Sequence, residues 1–294
     1  MSTAPSSIPP PSFGVAPERP PGIERPERPE PARWKPWTAW VALIAGLAGA
    51  LMGALLIGVV AAIAGASIND PTPAVNITAT FVQDLCLIAA AILFAGLAGP
   101  PRPVQFGLRP TRLLPAVGWM ALGFVAFYIF TAAWVAIVGG ANDEQKLPQE
   151  LGADQSTLAL LAVAFLVSVV APIAEEFFFR GFFFGALRNW RGMLPAAIIT
   201  GLVFGAIHVG SAQLAFLLPL AFFGFVLCLI RAKTGSLYPC MALHCANNSL
   251  AFGVSQHWSW QIPILFVGSL AVITLTVLVV RTAWTPAAAP APAT

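Results

Sequence analysis

Glutamate, arginine, histidine and asparagine interrupt otherwise apolar runs at three places. Glu175 and Glu176 precede Arg180 in EEFFFR (175–180), His208 closes FGAIH (204–208), and His244 and Asn248 bracket HCANN (244–248). Ionisable groups in such surroundings are kept where they face a partner or a water-filled cavity. A carboxyl held without a partner in such a place suits general-base or general-acid work on water. Glu176 and Arg180 stand four residues apart with the acid first, on one helical face and in the better order for a pair. Glu175 points about 100° away and is left for other work. Phe204 shares a face with His208 as an aromatic wall, and His244 and Asn248 project to a common side. A lone membrane histidine more often ties helices together by hydrogen bonds. Two histidines, an asparagine and a carboxyl without a local base shift the balance toward one shared polar site.

The elements that must carry these groups are membrane helices. Hydrophobic residues make up 58% of the 294 and charged residues 9%, with mean hydropathy +0.81. A soluble globule of that composition would have almost no polar surface. The fold class is therefore all-α, a polytopic membrane helix bundle of about eight transmembrane helices. Apolar runs near the ~20 residues a bilayer requires fall at 37–65, 80–98, 114–139, 157–184, 194–211, 213–230, 237–254 and 262–280. The division between the fifth and sixth is the least marked, at Gly210 and Ser211. Pro172 removes a helical hydrogen bond just before the glutamates and is expected to loosen the local packing. Trp34, Trp37, Trp40, Trp190, Trp258, Trp260 and Trp284 cluster at run ends and are expected at the membrane interface.

Residues 1–36 are rich in proline, with glutamate and arginine nearly cancelling, and read as a disordered, polyproline-leaning tail with no cleaved signal. The transmembrane domain is expected over 37–284, and 285–294 as a short disordered tail. Arginines and lysines alternate between loops: all but Lys146 and the intramembrane Arg180 fall on one side if the N-terminus is inside. That asymmetry predicts an integral cell-membrane protein with both termini cytoplasmic. The net charge of +3 is dispersed, so no nucleic-acid partner is supported. No internal repeat is visible, and Asp84 is the only other acid within an apolar run. A proton-relay transporter, which would string acids between both faces, is thus poorly supplied.

EExxxR, FxxxH and HxxxN, in this order and each inside an apolar run, resemble the three motifs of the CAAX protease and bacteriocin-processing family of intramembrane endopeptidases, which includes type II CAAX prenyl endopeptidases. FGLRP at 106–110 resembles a feature that precedes the core in bacterial members. The resemblance spans roughly 80–281 and centres on a core at about 157–254. It implies that Glu175, helped by His208, activates water, that His244 and Asn248 stabilise the oxyanion, and that Glu176, Arg180 and Phe204 shape the site. It further implies a peptide or membrane-anchored protein substrate held beside membrane lipid. Family members are often labelled metalloproteases, and Glu175, His208 and His244 could ligate zinc with water in the fourth position. HExxH is absent, and direct water activation by Glu175 and His208 explains the same residues. Cys240, four residues before His244, could be a soft fourth ligand, with helix packing the better reading. A non-catalytic immunity or partner-binding protein, or a proton-coupled transporter, stays open as the alternative function.

Overall fold

The structure, a computed structural model, describes residues 32, 34–67, 69–139 and 147–284. Of the tail expected over 1–36, residues 1–31 and 33 lie outside the described residues, as do the tail expected over 285–294 and Lys146. Among the described residues there are ten helices: α1 Pro36–Ile63, α2 Pro73–Gly96, α3 Pro103–Phe106, α4 Leu113–Val138, α5 Leu147–Glu150, α6 Thr157–Arg191, α7 Met193–Ala206, α8 Leu214–Thr234, α9 Tyr238–Ser255 and α10 Gln261–Trp284. Proline at the first turn starts α1, α2 and α9, where its missing N–H is no loss. Ser156 caps α6 by accepting from the Ala159 N–H at 3.1 Å.

Large apolar side chains face outward, Ile44, Leu55, Leu93, Leu114, Ile129 and Leu275 among them, while Glu176, Arg180 and His244 are buried. An apolar exterior around a polar centre is the arrangement that lipid, not water, stabilises. The chain is a helical membrane bundle.

Among the described residues six helices are long and apolar enough to cross a bilayer: α1, α2, α4, α6, α8 and α10. The other two expected spans differ. Helix α7 has 14 residues, about 21 Å at 1.5 Å each, short of the ~30 Å hydrocarbon core. Hydropathy carries on past its end, because Ile207 and Val209 flank His208 in the turn, and so the sequence run overshoots. Helix α9 has 18 residues but is loaded with His244, Asn247, Asn248 and Ser249. Its polarity marks it as interior.

Within α6 the hydrogen bonding loosens twice, into π-helical segments at Leu166–Val170 and Phe177–Phe183. Pro172 cannot donate to the carbonyl four residues back, which accounts for the first. The two segments enclose the turn bearing Glu175 and Glu176, a frequent setting for π distortions at functional sites.

Helices α7 and α8 approach closely through Gly201, Gly205 and Gly224. A Cβ on Gly201 would stand 2.6 Å from the Ala221 carbonyl oxygen, and one on Gly224 would stand 3.0 Å from the Gly201 Cα. Small residues four apart let membrane helices meet backbone to backbone. Trp34 departs from the interfacial expectation: it is buried against Phe106 and Phe182, ring centroids 5.0 and 5.1 Å away. Trp37, Trp40, Trp190 and Trp260 do stand exposed.

Candidate active site

Glu176 is the hub. Its Oε1 accepts from Arg180 Nη1 at 2.8 Å, one turn along α6, and from His244 Nδ1 at 2.8 Å, across the bundle on α9. Glu176 and the Arg180 side chain are wholly buried. Arg180 Nη2 donates to the Gly224 carbonyl at 3.2 Å, and its guanidinium carbon lies 4.3 Å from the Phe204 ring centroid. Four helices thus close on one ion pair. A desolvated cation over an aromatic face adds roughly 2 kcal/mol, which helps an arginine remain where no water reaches it.

Phe204 stands between the histidines, its centroid 4.9 Å from that of His208 and 5.9 Å from that of His244. His208 lies in the turn just past α7, half-buried, with Nδ1 2.7 Å from the Phe204 carbonyl oxygen. A carbonyl only accepts, so Nδ1 carries the proton and Nε2 is left as an acceptor. His244 Nδ1 likewise donates, here to a carboxylate. Asn248 Nδ2 donates to the Val167 carbonyl at 2.9 Å, inside the first π segment, and its Oδ1 accepts from Asn247 at 3.2 Å. Asn247 in turn accepts from the Tyr128 hydroxyl on α4 at 3.1 Å.

Glu175 is part-buried, and its Oε2 is buried with no hydrogen-bond partner. Glu176 Oε2 is likewise buried without a partner, so the two glutamates differ in their ion pairs: among the described residues Glu176 pairs with Arg180 and His244, and Glu175 pairs with no base. Asp84 on α2 was visible in the sequence without a role. Its carboxyl is 2% exposed, its Oδ2 also lacks a partner, and it interacts electrostatically with Glu175. Sequence reasoning also missed Tyr128, Asn247 and the Glu176–His244 bond. The doubled asparagine of HCANN was the one available signal.

Among the described residues no three His, Cys, Asp or Glu side chains converge tightly enough to share a metal ion. Glu175, His208 and His244 do not form a ligand set as placed here, and the Nδ1 atoms of both histidines are occupied. Cys240 is fully buried, with its thiol toward the Leu227 carbonyl at 3.4 Å, as helix packing requires.

FGLRP braces the start of α9. Phe106 stacks on Phe177 at 4.5 Å, the Gly107 carbonyl accepts the Leu237 N–H at 2.9 Å, Arg109 Nε donates to the Gly235 carbonyl at 2.7 Å, and Ser236 Oγ donates to the Arg109 carbonyl at 2.6 Å. The loop pins α9, and hence His244, against α6.

Fold and site define a polytopic helical membrane protein with a buried Glu–Arg–His network on a π-distorted helix. Residues 157–250, which carry all three motifs, match the family described as Type II CAAX prenyl endopeptidase Rce1-like. The family resemblance is thereby shown for that segment. Among curated proteins, the "Uncharacterized protein YyaK" of Bacillus subtilis is 31% identical over 178 residues, 56% of this chain and 59% of that one. An "Uncharacterized 24.3 kDa protein" of Escherichia coli is 28% identical over 51% of this chain and 67% of its own length. The "Putative membrane peptidase YdiL" of Bacillus subtilis is 27% identical over 43% of this chain and 46% of its length. No solved structure matches.

Proposed function

We propose that this chain is an intramembrane CAAX-type endopeptidase that hydrolyses a peptide bond in a membrane-associated peptide or protein. The observation that carries the reading is the division of labour between adjacent glutamates: Glu176 holds Arg180 and His244, while Glu175, part-buried beside it, has no ion pair among the described residues. The family match over 157–250 supports the reaction class.

In the proposed sequence, Glu175 takes a proton from water, with the Nε2 lone pair of His208 orienting the same molecule. The water oxygen bonds to the scissile carbonyl carbon, and the carbonyl π pair moves onto oxygen. The oxyanion accepts from the second Nδ2 proton of Asn248 and from His244 Nε2. Because Nδ1 of His244 already donates to Glu176, donation from Nε2 requires the imidazolium. The Glu176 and Arg180 charges cancel, so protonated His244 leaves one net positive charge where one negative charge develops. Collapse breaks the C–N bond, and the proton held by Glu175 passes to the leaving amine. We place the protein in the cell membrane with both termini cytoplasmic, on the loop charge asymmetry.

The test is peptide-substrate profiling with purified wild type and Glu175→Gln in parallel. Isosteric loss of the base should lower turnover by at least about 10²-fold with melting unchanged. Full turnover by Glu175→Gln would remove Glu175 as the base, whereas no hydrolysis by the wild type, with partner binding kept in Glu175→Gln, would favour the binding or immunity alternative.

A further inference from the structure

A cavity of about 570 Å³ lies between the start of α4 and the end of α8, remote from the glutamates, and is lined by Thr111, Arg112, Pro115, Trp119, Lys233 and Thr234. The Lys233 ammonium stands 5.4 Å from the Trp119 ring centroid. The Thr111 and Thr234 hydroxyls already donate to the carbonyls of Thr234 and Ile230. Arg112 and Lys233 are therefore the donors this cavity offers a ligand.

Their charge is not balanced nearby. Arg109 reaches the Gly235 carbonyl beside Thr234, adding a further cation, and the sequence holds no acid between Asp84 and Asp143 and none after Glu176. The Pro-rich N-terminal segment brings four glutamates but four arginines as well, and so no net negative charge. The countercharge must come from another molecule. Trp119 lies six residues beyond Leu113, about 9 Å deeper, so the cavity reaches from the loop into the apolar zone. Leu113, Leu114 and Val117 are 74%, 85% and 50% exposed on the same stretch of α4. An occupant needs an anionic head beside Arg112 and Lys233 and hydrocarbon beside these residues. Basic pockets between membrane helices hold lipid headgroups on this physical basis.

We propose that the cavity binds the phosphate headgroup of an anionic phospholipid, with Arg112 and Lys233 on the phosphate oxygens and the Trp119 indole against the glycerol region. Tyr128, nine residues along α4 from Trp119 and bonded to Asn247, links the lipid-bearing helix to the polar centre.

The full chain in neutral detergent is titrated with dioleoyl phosphatidylglycerol, dioleoyl phosphatidylcholine or inorganic phosphate, and read by native-mass adducts and by melting. Phosphatidylglycerol should be retained and raise the melting temperature, whereas phosphatidylcholine should do neither. Arg112→Gln with Lys233→Gln should weaken phosphatidylglycerol binding on the order of 25-fold, from roughly fivefold per basic residue. Arg102→Gln with Arg191→Gln, the same charge removed outside the cavity, should change it by about twofold or less. Trp119→Leu keeps both charges and should shorten lipid retention, which covers the case of a poorly folded double variant. Equal binding of the two lipids, equal losses in both double variants, unchanged retention in Trp119→Leu, or displacement of the lipid by matched phosphate would each overturn the proposal.

Discussion

Glu176 Oε1 accepts two N–H groups from different helices and pairs with the buried Arg180, while among the described residues Glu175 has no ion pair, and substitutions at the two positions should therefore differ in kind. Glu176→Gln leaves Arg180 as an uncompensated buried charge, for which a loss of roughly 3–5 kcal/mol is usual. It also frees His244 to rotate. Detergent-phase melting should drop clearly for Glu176→Gln and hardly for Glu175→Gln, with activity lost in both. A dead but fully stable Glu176→Gln beside an active Glu175→Gln would exchange the two roles. The asymmetry was legible in the sequence because an i, i+4 pair is a local fact. The His244 bond was not, since no spacing within one chain segment reports which residue 68 positions away faces the same oxygen.

Helices α6 and α7 hold the site through two devices of different kinds. The π segments bracket the glutamates, and Pro172 causes the first by withholding an N–H; Val167 within it offers its carbonyl to Asn248. Pro172→Ala restores that donor and should tighten the turn into a regular helix. We expect unchanged or higher melting temperature but activity down by about tenfold or more, because a 1 Å misplacement can cost 10²-fold; full activity would show that the distortion is incidental. On α7, Gly205 has no room for a side chain, an added Cβ falling 2.5 Å from the Leu217 carbonyl oxygen. Gly205→Val should destabilise by about 1–3 kcal/mol and, by parting α7 from α8, loosen Phe204 from Arg180. Gly118→Val, with nothing within 4 Å, serves as the comparison in the same melting series. Element positions were largely legible, α1, α4 and α10 falling within a few residues of the apolar runs. The start of α2 was not: Asn76, Thr78 and Thr80 depress hydropathy, although Pro73 begins the helix. Polar residues inside a membrane helix hide its limits from a hydropathy reading for the same reason that they mark it as interior.

At the scale of the molecule, six helices that can cross and two that are short or polar give the bundle its division of labour: the crossing helices meet lipid, and α7 and α9 present His208 and His244. An alternating chain of eight elements and an arrangement in which α7 only dips into the membrane and returns make different predictions, because the parity of crossings sets the side of every later loop. The α7–α8 contact favours a tight antiparallel hairpin. Gly201 and Gly205 meet Ala221 and Leu217 in reverse order, so the turn at 207–213 lies opposite both Arg191 and Lys233 whatever its depth. The basic ends of α6 and α8 then share one side with the loop bearing Arg102, Arg109 and Arg112, a placement that the Arg109–Gly235 and Thr111–Thr234 bonds require independently. In the orientation proposed from charge bias, that side is cytoplasmic. Reporter fusions after residues 70, 105, 150 and 234 should accordingly read outside, inside, outside and inside. Because hydrogen bonds tie 109–111 to 234–235, the fusions at 105 and 234 must agree with each other; opposite readings there would refute the packing of α3, α8 and α9, whereas a matched reversal would leave the fold intact and overturn only the orientation.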